Sequence, residues 1–597
     1  MPDFSVRLFL LFGLTIGFWG LGFLSMVAFF ERRIFTNSIT SHITAIALGL
    51  SSAILLINTM SVFDVPLSRN NLFMILGGYC GLLVLFVSIR LLKRGSLVFS
   101  RPNRHNLFET ICVGGLFLLL LCVRAVQVRD IFVPNWVDGL THTLLLQKFV
   151  SMQYIPFDRI YHTGFHSIAL SVHHLWSLDL PEAVLLLGQW LSAMCGVSLY
   201  LLAKRYIHYV FPSYLCIVIY SLFLLFPSFL VSWGRYPFLL GLTLLPPAIV
   251  AALNWLDHQK GLFLAIAFVV VLFFAHYGAL LIWFSFVAAH LAFTAIAQRS
   301  YSRDLRKCTS ILSRLTLLVM PLLAFIAPKA LVLLRRHDVI TRMAQRIHDP
   351  DFGADANYAA GLLFSHDHVF LLIWLAVTFW SIRQKKSGFQ VIAIWPLTLW
   401  FLIWIQYLLA RISIASYSNA IIFFSVPLAI SFGMVSDRVI LFFRSKSLAD
   451  GRIHYEILGG IACFVLITSG VILNSKIISA DTVLFSAEDS RAMDWIVNES
   501  PYNSVFFIKT FRWGDELAPA DGGGWIEILT GRKVVYPKSL GDLYDMCVFI
   551  RSNDVDYIYL REPSEDESFG LRLSDINGSY KIVYETETIK IVTVSCP

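Results

Sequence analysis

Apolar residues run through this chain in long blocks rather than in alternation, and short polar interruptions separate the blocks. A helix needs about 20 apolar residues to cross the hydrocarbon of a bilayer. By that length the sequence predicts spans over 6–30, 39–63, 72–92, 107–126, 181–203, 213–231, 237–256, 261–276, 278–297, 311–333, 368–382, 388–409, 419–437 and 455–474. The spans over 261–276 and 368–382 are the shortest. The expected fold class is an α-helical polytopic membrane protein with about 13–14 transmembrane helices. Lysines and arginines cluster in alternate connections: Arg32 and Arg33, Lys93 and Arg94, Lys204 and Arg205, Arg303 to Lys307, Lys385 and Lys386, and Arg438 to Arg452. Such clusters mark the cytoplasmic side. The loop 127–180 and everything beyond about Lys476 then face away from the cytoplasm.

One stretch decides that register. Residues 164–178 are apolar but only about 15 long, short of a span, and they carry His166, His173 and His174. They read as a re-entrant or interfacial helix. Residues 138–154 set Leu140, Leu144, Leu145 and Phe149 against His142, Gln147 and Lys148, which is helical amphipathic spacing for a helix lying in the membrane interface. After residue 475 the pattern changes. Helices are expected over 488–498 and 541–552 and a short one ending at Gly531. Strands are expected over 504–511, 533–536 and 555–560, with a closing hairpin of 580–584 and 588–594. That is a small α/β domain. The chain thus divides into accessory helices (1–106), a transmembrane core (107–475) and an extracytoplasmic α/β domain (476–597).

Composition supports this class. Of 597 residues, 57% are apolar and 14% charged, where soluble chains carry about a quarter charged. The net charge of +8 sits in topology loops, so no nucleic-acid partner is expected. The run from Val6 has no small-residue cleavage site after it and reads as a span, not a signal peptide. Six cysteines fall in apolar runs as small hydrophobes. Cys547 and Cys596 are the two in the C-terminal domain, where a disulfide is one reading.

Chemistry crowds into Arg129-Asp130-Ile131-Phe132-Val133-Pro134-Asn135-Trp136-Val137-Asp138-Gly139-Leu140-Thr141-His142 and its continuation Tyr161-His162-Thr163-Gly164-Phe165-His166. Asp138 opens an amphipathic helix, so it has two readings: an N-cap, or a carboxylate fixed at the lipid–water boundary as a general base. The layout that carries a resemblance is a span, a loop with an acidic residue, an amphipathic helix, the Tyr161–His166 turn, a short apolar helix, and a span ending in Lys204-Arg205. It resembles the GT-C glycosyltransferases, which include protein O-mannosyltransferases, the catalytic subunit of oligosaccharyltransferase and lipid A aminoarabinose transferases. Prokaryotic relatives carry a Tyr-Pro-Pro-Gly-Phe-His turn, and the turn here lacks both prolines. The likeness covers roughly 107–474 and implies Asp138 as the catalytic aspartate, with Asp130 as the alternative because the family's acidic motif is not reproduced letter for letter.

Other candidates are read against plainer roles. Arg235 and Tyr236, in Ser232-Trp233-Gly234-Arg235-Tyr236-Pro237, are either interfacial anchors or a clamp for a lipid phosphate. His276 is either a helix-end histidine or a substrate contact, and His142, His162 and His166 are read as shaping the substrate site. Arg335 and Arg336 lie in a loop (334–367) that breaks the charge rule, and with Arg411 they suit a polyprenyl phosphate. Asp349-Pro350-Asp351, His366-Asp367-His368 and Asp554-Val555-Asp556 resemble metal pairs, but no specific metal residue is expected. Some members of the resembling family use Mg²⁺ or Mn²⁺, so the cofactor stays open between a divalent cation and none. The expected function is transfer of a sugar from a polyprenyl-phosphate donor, among membrane lipids, to an acceptor of unknown class on the extracytoplasmic side of the cell membrane. The alternatives are a transporter or flippase of lipid-linked or anionic solutes, and a non-catalytic envelope-assembly protein.

Overall fold

The computed structural model describes residues 4–29, 38–94, 104–156, 161–299, 305–335, 354–383, 387–405, 417–446, 452–513, 516–537, 546–561 and 579–595. Among them ten helices are long and apolar enough to cross a membrane. Four shorter apolar helices, Val210–Phe223, Leu262–Ala275, Phe389–Ile405 and Ile461–Asn474, fall on the remaining expected spans. In hydrocarbon every backbone N–H and C=O needs an internal partner, so apolar runs of this length have helix as their only solitary solution.

The N-terminal helices are α1 (Phe4–Phe29), α2 (Ile39–Val62), α3 (Arg69–Arg94) and α4 (Arg104–Gln127). Next come α5 (Trp136–Met152), α6 (Gly164–Trp176), α7 (Leu180–Tyr206) and α8 (Val210–Val218). Then follow α9 (Tyr236–His258), α10 (Leu262–Ala275), α11 (Tyr277–Arg299) and α12 (Leu305–Arg335). Four more membrane helices cover Ala354–Arg383, Ser387–Ile405, Tyr417–Lys446 (interrupted at Phe424) and Arg452–Asn474. α7 and α9 form the centre, buried almost throughout their apolar windows. The core is one continuous apolar cluster that includes Leu11, Ile43 and Ile54 of the N-terminal helices.

Two expected spans differ. The run at 368–382 belongs to a helix that starts at Ala354, because the polar Asn357, Ser365 and His366 sit within helical turns rather than ending them. The run at 213–231 does not stay helical. α8 passes into a π-turn at Ile219–Phe223, then a 3-10 turn at Ser228–Val231, with a cis bond at Phe226–Pro227. A proline inside the run removes a donor and forces the break. Asp367 fills part of the gap, accepting from the Leu225 N–H at 3.3 Å. Asp367 of His366-Asp367-His368 thus engages the break through one carboxylate oxygen.

The α6 register is resolved by contacts. Arg7, near the start of α1, pairs with Glu182 at the start of α7 at 2.8 Å. Arg7 also donates to the carbonyls of Val128 and Ile131, after α4. The chain therefore leaves α4 and enters α7 at the same end of the bundle, and α5 and α6 do not cross. At 13 residues, α6 spans only about 20 Å. Asn58 of α2 ties it down, donating to Ser167 Oγ at 2.9 Å and accepting from Thr163 Oγ1 at 2.7 Å.

The C-terminal domain contains a five-stranded sheet ordered β4-β1-β5-β7-β6. Its strands are β1 (Val505–Ile508), β4 (Lys533–Val535), β5 (Tyr557–Arg561), β6 (Ser579–Glu585) and β7 (Ile589–Ser595). β1 runs parallel to β4 and β5, and β7 antiparallel to β5 and β6. Each expected strand and the hairpin is present. The expected 504–511 strand divides: β2 (Thr510–Trp513) leaves the sheet and pairs with β3 (Glu516–Pro519), which the pattern did not announce. The helix Ala487–Glu499 starts at a capping box of Ser486 and Asp489. Asp556 accepts from the Val505 N–H at 2.9 Å, so the Asp554–Asp556 pair is a strand lock. Cys547 is disulfide-bonded, while Cys596 lies outside the described residues.

The buried Arg7–Glu182 pair yields a test. Removing one partner of a buried pair costs about 3–5 kcal/mol, whereas an apolar pair of similar volume is close to neutral. Arg7→Met is expected to lower the thermal stability of the detergent-purified protein by that order, and Arg7→Met/Glu182→Met to regain much of it. Equal losses in both would show that the ion pair is not what joins α1 to α7.

Candidate active site at the covered end of the bundle

Helix α5 is the part on which the site is built. Its Leu146 and Phe149 belong to the membrane core. Its Leu140, with Val133 before it, belongs to the core of the C-terminal domain, together with Phe485, Trp525 and Tyr559. Val137 packs with Leu484 and Ala518. The expected interfacial helix is therefore covered by protein on both sides rather than lying open to lipid. The C-terminal domain supplies the second apolar surface that the sequence pattern assigned to the membrane.

The entry to α5 is held tightly. Trp136 sits at φ 61°, a region that a bulky side chain rarely enters, and its ring packs on Phe511 at 5.6 Å. Such backbone outliers persist where surrounding structure over-determines them. Across from it, Gly234 has φ 66°, and a Cβ there would lie 2.5 Å from the Gly139 nitrogen and 2.8 Å from the Asn135 carbonyl oxygen. The Ser232–Tyr236 turn is thus pressed backbone to backbone onto the first turn of α5.

That contact brings the two charges together. Arg235 Nε lies 3.8 Å from Asp138 Oδ2, with 15% and 33% of the side chains exposed. The guanidinium also lies 4.7 Å from the Trp233 ring centre and donates to Ser418 Oγ at 3.4 Å. Asp138 makes no N-cap, since Asn135 holds that position. Asp130, by contrast, is 79% exposed and paired with its neighbour Arg129, outside this cluster.

Below the pair stands a cluster of imidazoles and phenols. His142 and His166 have ring centres 5.2 Å apart, and Tyr236 lies 6.4 Å from His142 and stacks on Phe165 at 5.5 Å. His162 stacks on Tyr161 at 3.9 Å and lies 4.5 Å from His276. His276 closes α10 and receives the Gly278 N–H on Nδ1. Burial pushes the His142 pKa down to about 3. His162 is held well below the ordinary range by burial first, then by His276, His166, His142 and Lys329.

Lys329 was not singled out from the sequence. It lies on α12, buried, with its Nζ 5.5 Å from the Phe273 ring centre and 5.7 Å from that of Phe274. The signal was there: a lysine inside an apolar run is costly in lipid and marks function. Ser418 carried no such signal. Of the expected arginines, Arg335 ends α12 with its side chain outside the described residues, and Arg336 and Arg411 lie outside them altogether, as do Asp349 and Asp351. The histidines do not converge as metal ligands. Among the described residues no three His, Cys, Asp or Glu side chains are grouped to hold an ion.

No protein-family model and no curated protein matches this sequence. Among solved structures, the chain is similar to ArnT from Cupriavidus metallidurans bound to undecaprenyl phosphate, at 11% identity and TM-score 0.48, covering 81% of this chain and 98% of that one. It is also similar to the Archaeoglobus fulgidus oligosaccharyltransferase in complex with Zn and sulfate, at 12% identity and TM-score 0.45, covering 74% of this chain and 67% of that one. Overlap at that level carries no argument about chemistry.

The Gly234 contact is directly testable. Gly234→Ala is expected to destabilise the protein by about 1–3 kcal/mol, the scale of local backbone strain, read as a lower melting temperature. Gly361→Ala is the control, because a Cβ there meets nothing within 4 Å. Equal melting temperatures for the two variants would contradict the close approach.

Proposed function

We propose that this integral membrane protein transfers a sugar from a polyprenyl-phosphate donor to an acceptor at the extracytoplasmic surface. The carrying observation is the Asp138–Arg235 pair, 3.8 Å apart, drawn from separate parts of the chain to one end of the helix bundle beneath the C-terminal domain. A carboxylate and a guanidinium side by side suit a substitution at an anomeric carbon. Asp138 takes the proton of the acceptor hydroxyl, and the acceptor oxygen forms its bond to the anomeric carbon. The bond from that carbon to the phosphate oxygen breaks, and the polyprenyl phosphate leaves with the electron pair. Arg235, with Lys329 on α12, stabilises the negative charge that gathers on the phosphate.

Orientation has two supports. The basic clusters Lys204–Arg205 and Arg438 lie at the far ends of helices whose other ends meet the site, which by the charge rule makes the site end extracytoplasmic. The disulfide at Cys547 belongs in an oxidising compartment. In this reading residues 107–475 form the catalytic core, 1–106 an accessory helical unit, and 476–597 the domain that covers α5 and helps present the acceptor.

The test is donor turnover by detergent-purified protein supplied with polyprenyl-phosphate sugars. Wild type is expected to release polyprenyl phosphate, and Asp138→Asn to lose 100-fold or more of that rate, the scale of general acid–base catalysis. An Asp138→Asn variant with full activity would remove Asp138 from the chemistry. No turnover with any donor would favour a transporter or an assembly protein.

A further inference from the structure

The cluster beside Asp138 holds buried hydrogen-bonding atoms that no described residue answers. Among the described residues, Asn135 Oδ1 and Nδ2, His142 Nδ1 and His162 Nε2 have no hydrogen-bond partner, on residues only 2%, 5% and 8% exposed. Native proteins leave few such groups, and each calls for an occupant or a functional reason. Asp138 and His142 are four residues apart along α5 and fall on neighbouring turns of one helix face, and Asn135 stands at the N-cap of that helix. His162 reaches the same cluster from the turn before α6, close enough to His142, His166, His276 and Lys329 to be influenced by each. Tyr161, stacked on His162 at 3.9 Å and 38% exposed, offers an aromatic face at its edge.

The kind of group that fits follows from the donors and acceptors. A side-chain amide offers both, and a neutral imidazole offers one N–H and one lone pair. Burial disfavours the protonated form of His142 and His162. A hydroxyl both donates and accepts, so it matches such a set. A carboxylate only accepts and leaves Asn135 Oδ1 unmatched, and an ammonium only donates and leaves the Asn135 amide N–H unmatched. An ammonium would in addition face Arg235 and Lys329. A polar site built for hydroxyls rejects misfits strongly, because the unmatched groups stay buried.

We propose that Asn135, His142 and His162, with the face of Tyr161, form a subsite for the neutral, hydroxyl-bearing ring of the donor sugar and disfavour uronate and free-amine sugars. This subsite rests on the glycosyl-transfer reading above. Substrate recognition at this site is then divided: cations hold the phosphate, and uncharged groups hold the ring.

The experiment compares polyprenyl-phosphate glucose, mannose and galactose with the corresponding uronates and 2-amino sugars, using wild type, His142→Phe and His162→Phe. Phenylalanine keeps the ring volume and removes the hydrogen bonds. Wild type is expected to turn over at least one neutral donor with kcat/KM at least 10-fold above its charged counterparts. Each variant, with its melting temperature within a few degrees of wild type, is expected to lose 10-fold or more in kcat/KM for that donor. The variants are also expected to lose the preference over the charged forms. Where a phenylalanine variant does not fold, Asn135→Ser, which shortens the amide to a hydroxyl, carries the same expectation. Charged donors turned over as well as neutral ones, or variants with unchanged kcat/KM, would overturn the subsite while leaving the transfer reading intact. No turnover of any donor would overturn the transfer reading and the subsite with it.

Discussion

The structure depends on one close approach, the Ser232–Tyr236 turn lying backbone to backbone on the first turn of α5. Gly234 leaves no room for a side chain between itself, the Gly139 nitrogen and the Asn135 carbonyl. Arg235 follows directly, and that is why its guanidinium reaches Asp138 from a point in the chain almost a hundred residues away. Moving the turn out by the width of a methyl group would separate the charges. The positive φ of Trp136 and its packing on Phe511 hold the other side of the same contact.

Around that contact the protein answers a problem set by the bilayer. Charged groups are costly in hydrocarbon, and the chain gathers Asp138 and Arg235 at one end of the bundle, where α5 and α6 lie without crossing it. Arg7 of α1 holds the segment before α5, Asn58 of α2 holds α6, and the core of the C-terminal domain covers α5. The cover lets a helix with apolar residues on two faces bury both. It also explains why Gly524, in the run Asp521-Gly522-Gly523-Gly524, approaches Leu140 so closely that a Cβ would lie 2.7 Å from its Cδ2.

Much of this was legible in the sequence. Block length located the membrane helices, and the short length and histidines of 164–178 correctly kept α6 from crossing. Turn residues marked the strands of the C-terminal domain. What pattern missed was tertiary. The break at Leu224–Pro227 depends on Asp367 supplying an acceptor from a distant helix. β3 becomes a strand because β2 turns away to pair with it. The same limit governs the site. Asp138, Arg235 and the histidines stood out as polar residues beside apolar runs, and Asp130 stood out equally but lies apart, paired with Arg129. Periodicity gives the face of a helix, not what packs against it. Lys329 is the exception, a charge inside a span that the pattern did signal.

In the proposed division of labour Arg235 holds the phosphate and Asp138 acts on the acceptor. Equilibrium binding of polyprenyl phosphate to the purified wild type, Arg235→Gln and Asp138→Asn tests it most directly. Arg235→Gln is expected to bind at least 10-fold more weakly, about 1.4 kcal/mol, and Asp138→Asn to bind as well as wild type or better, its repulsive charge gone. Unchanged binding by Arg235→Gln, or equal losses in both variants, would contradict it.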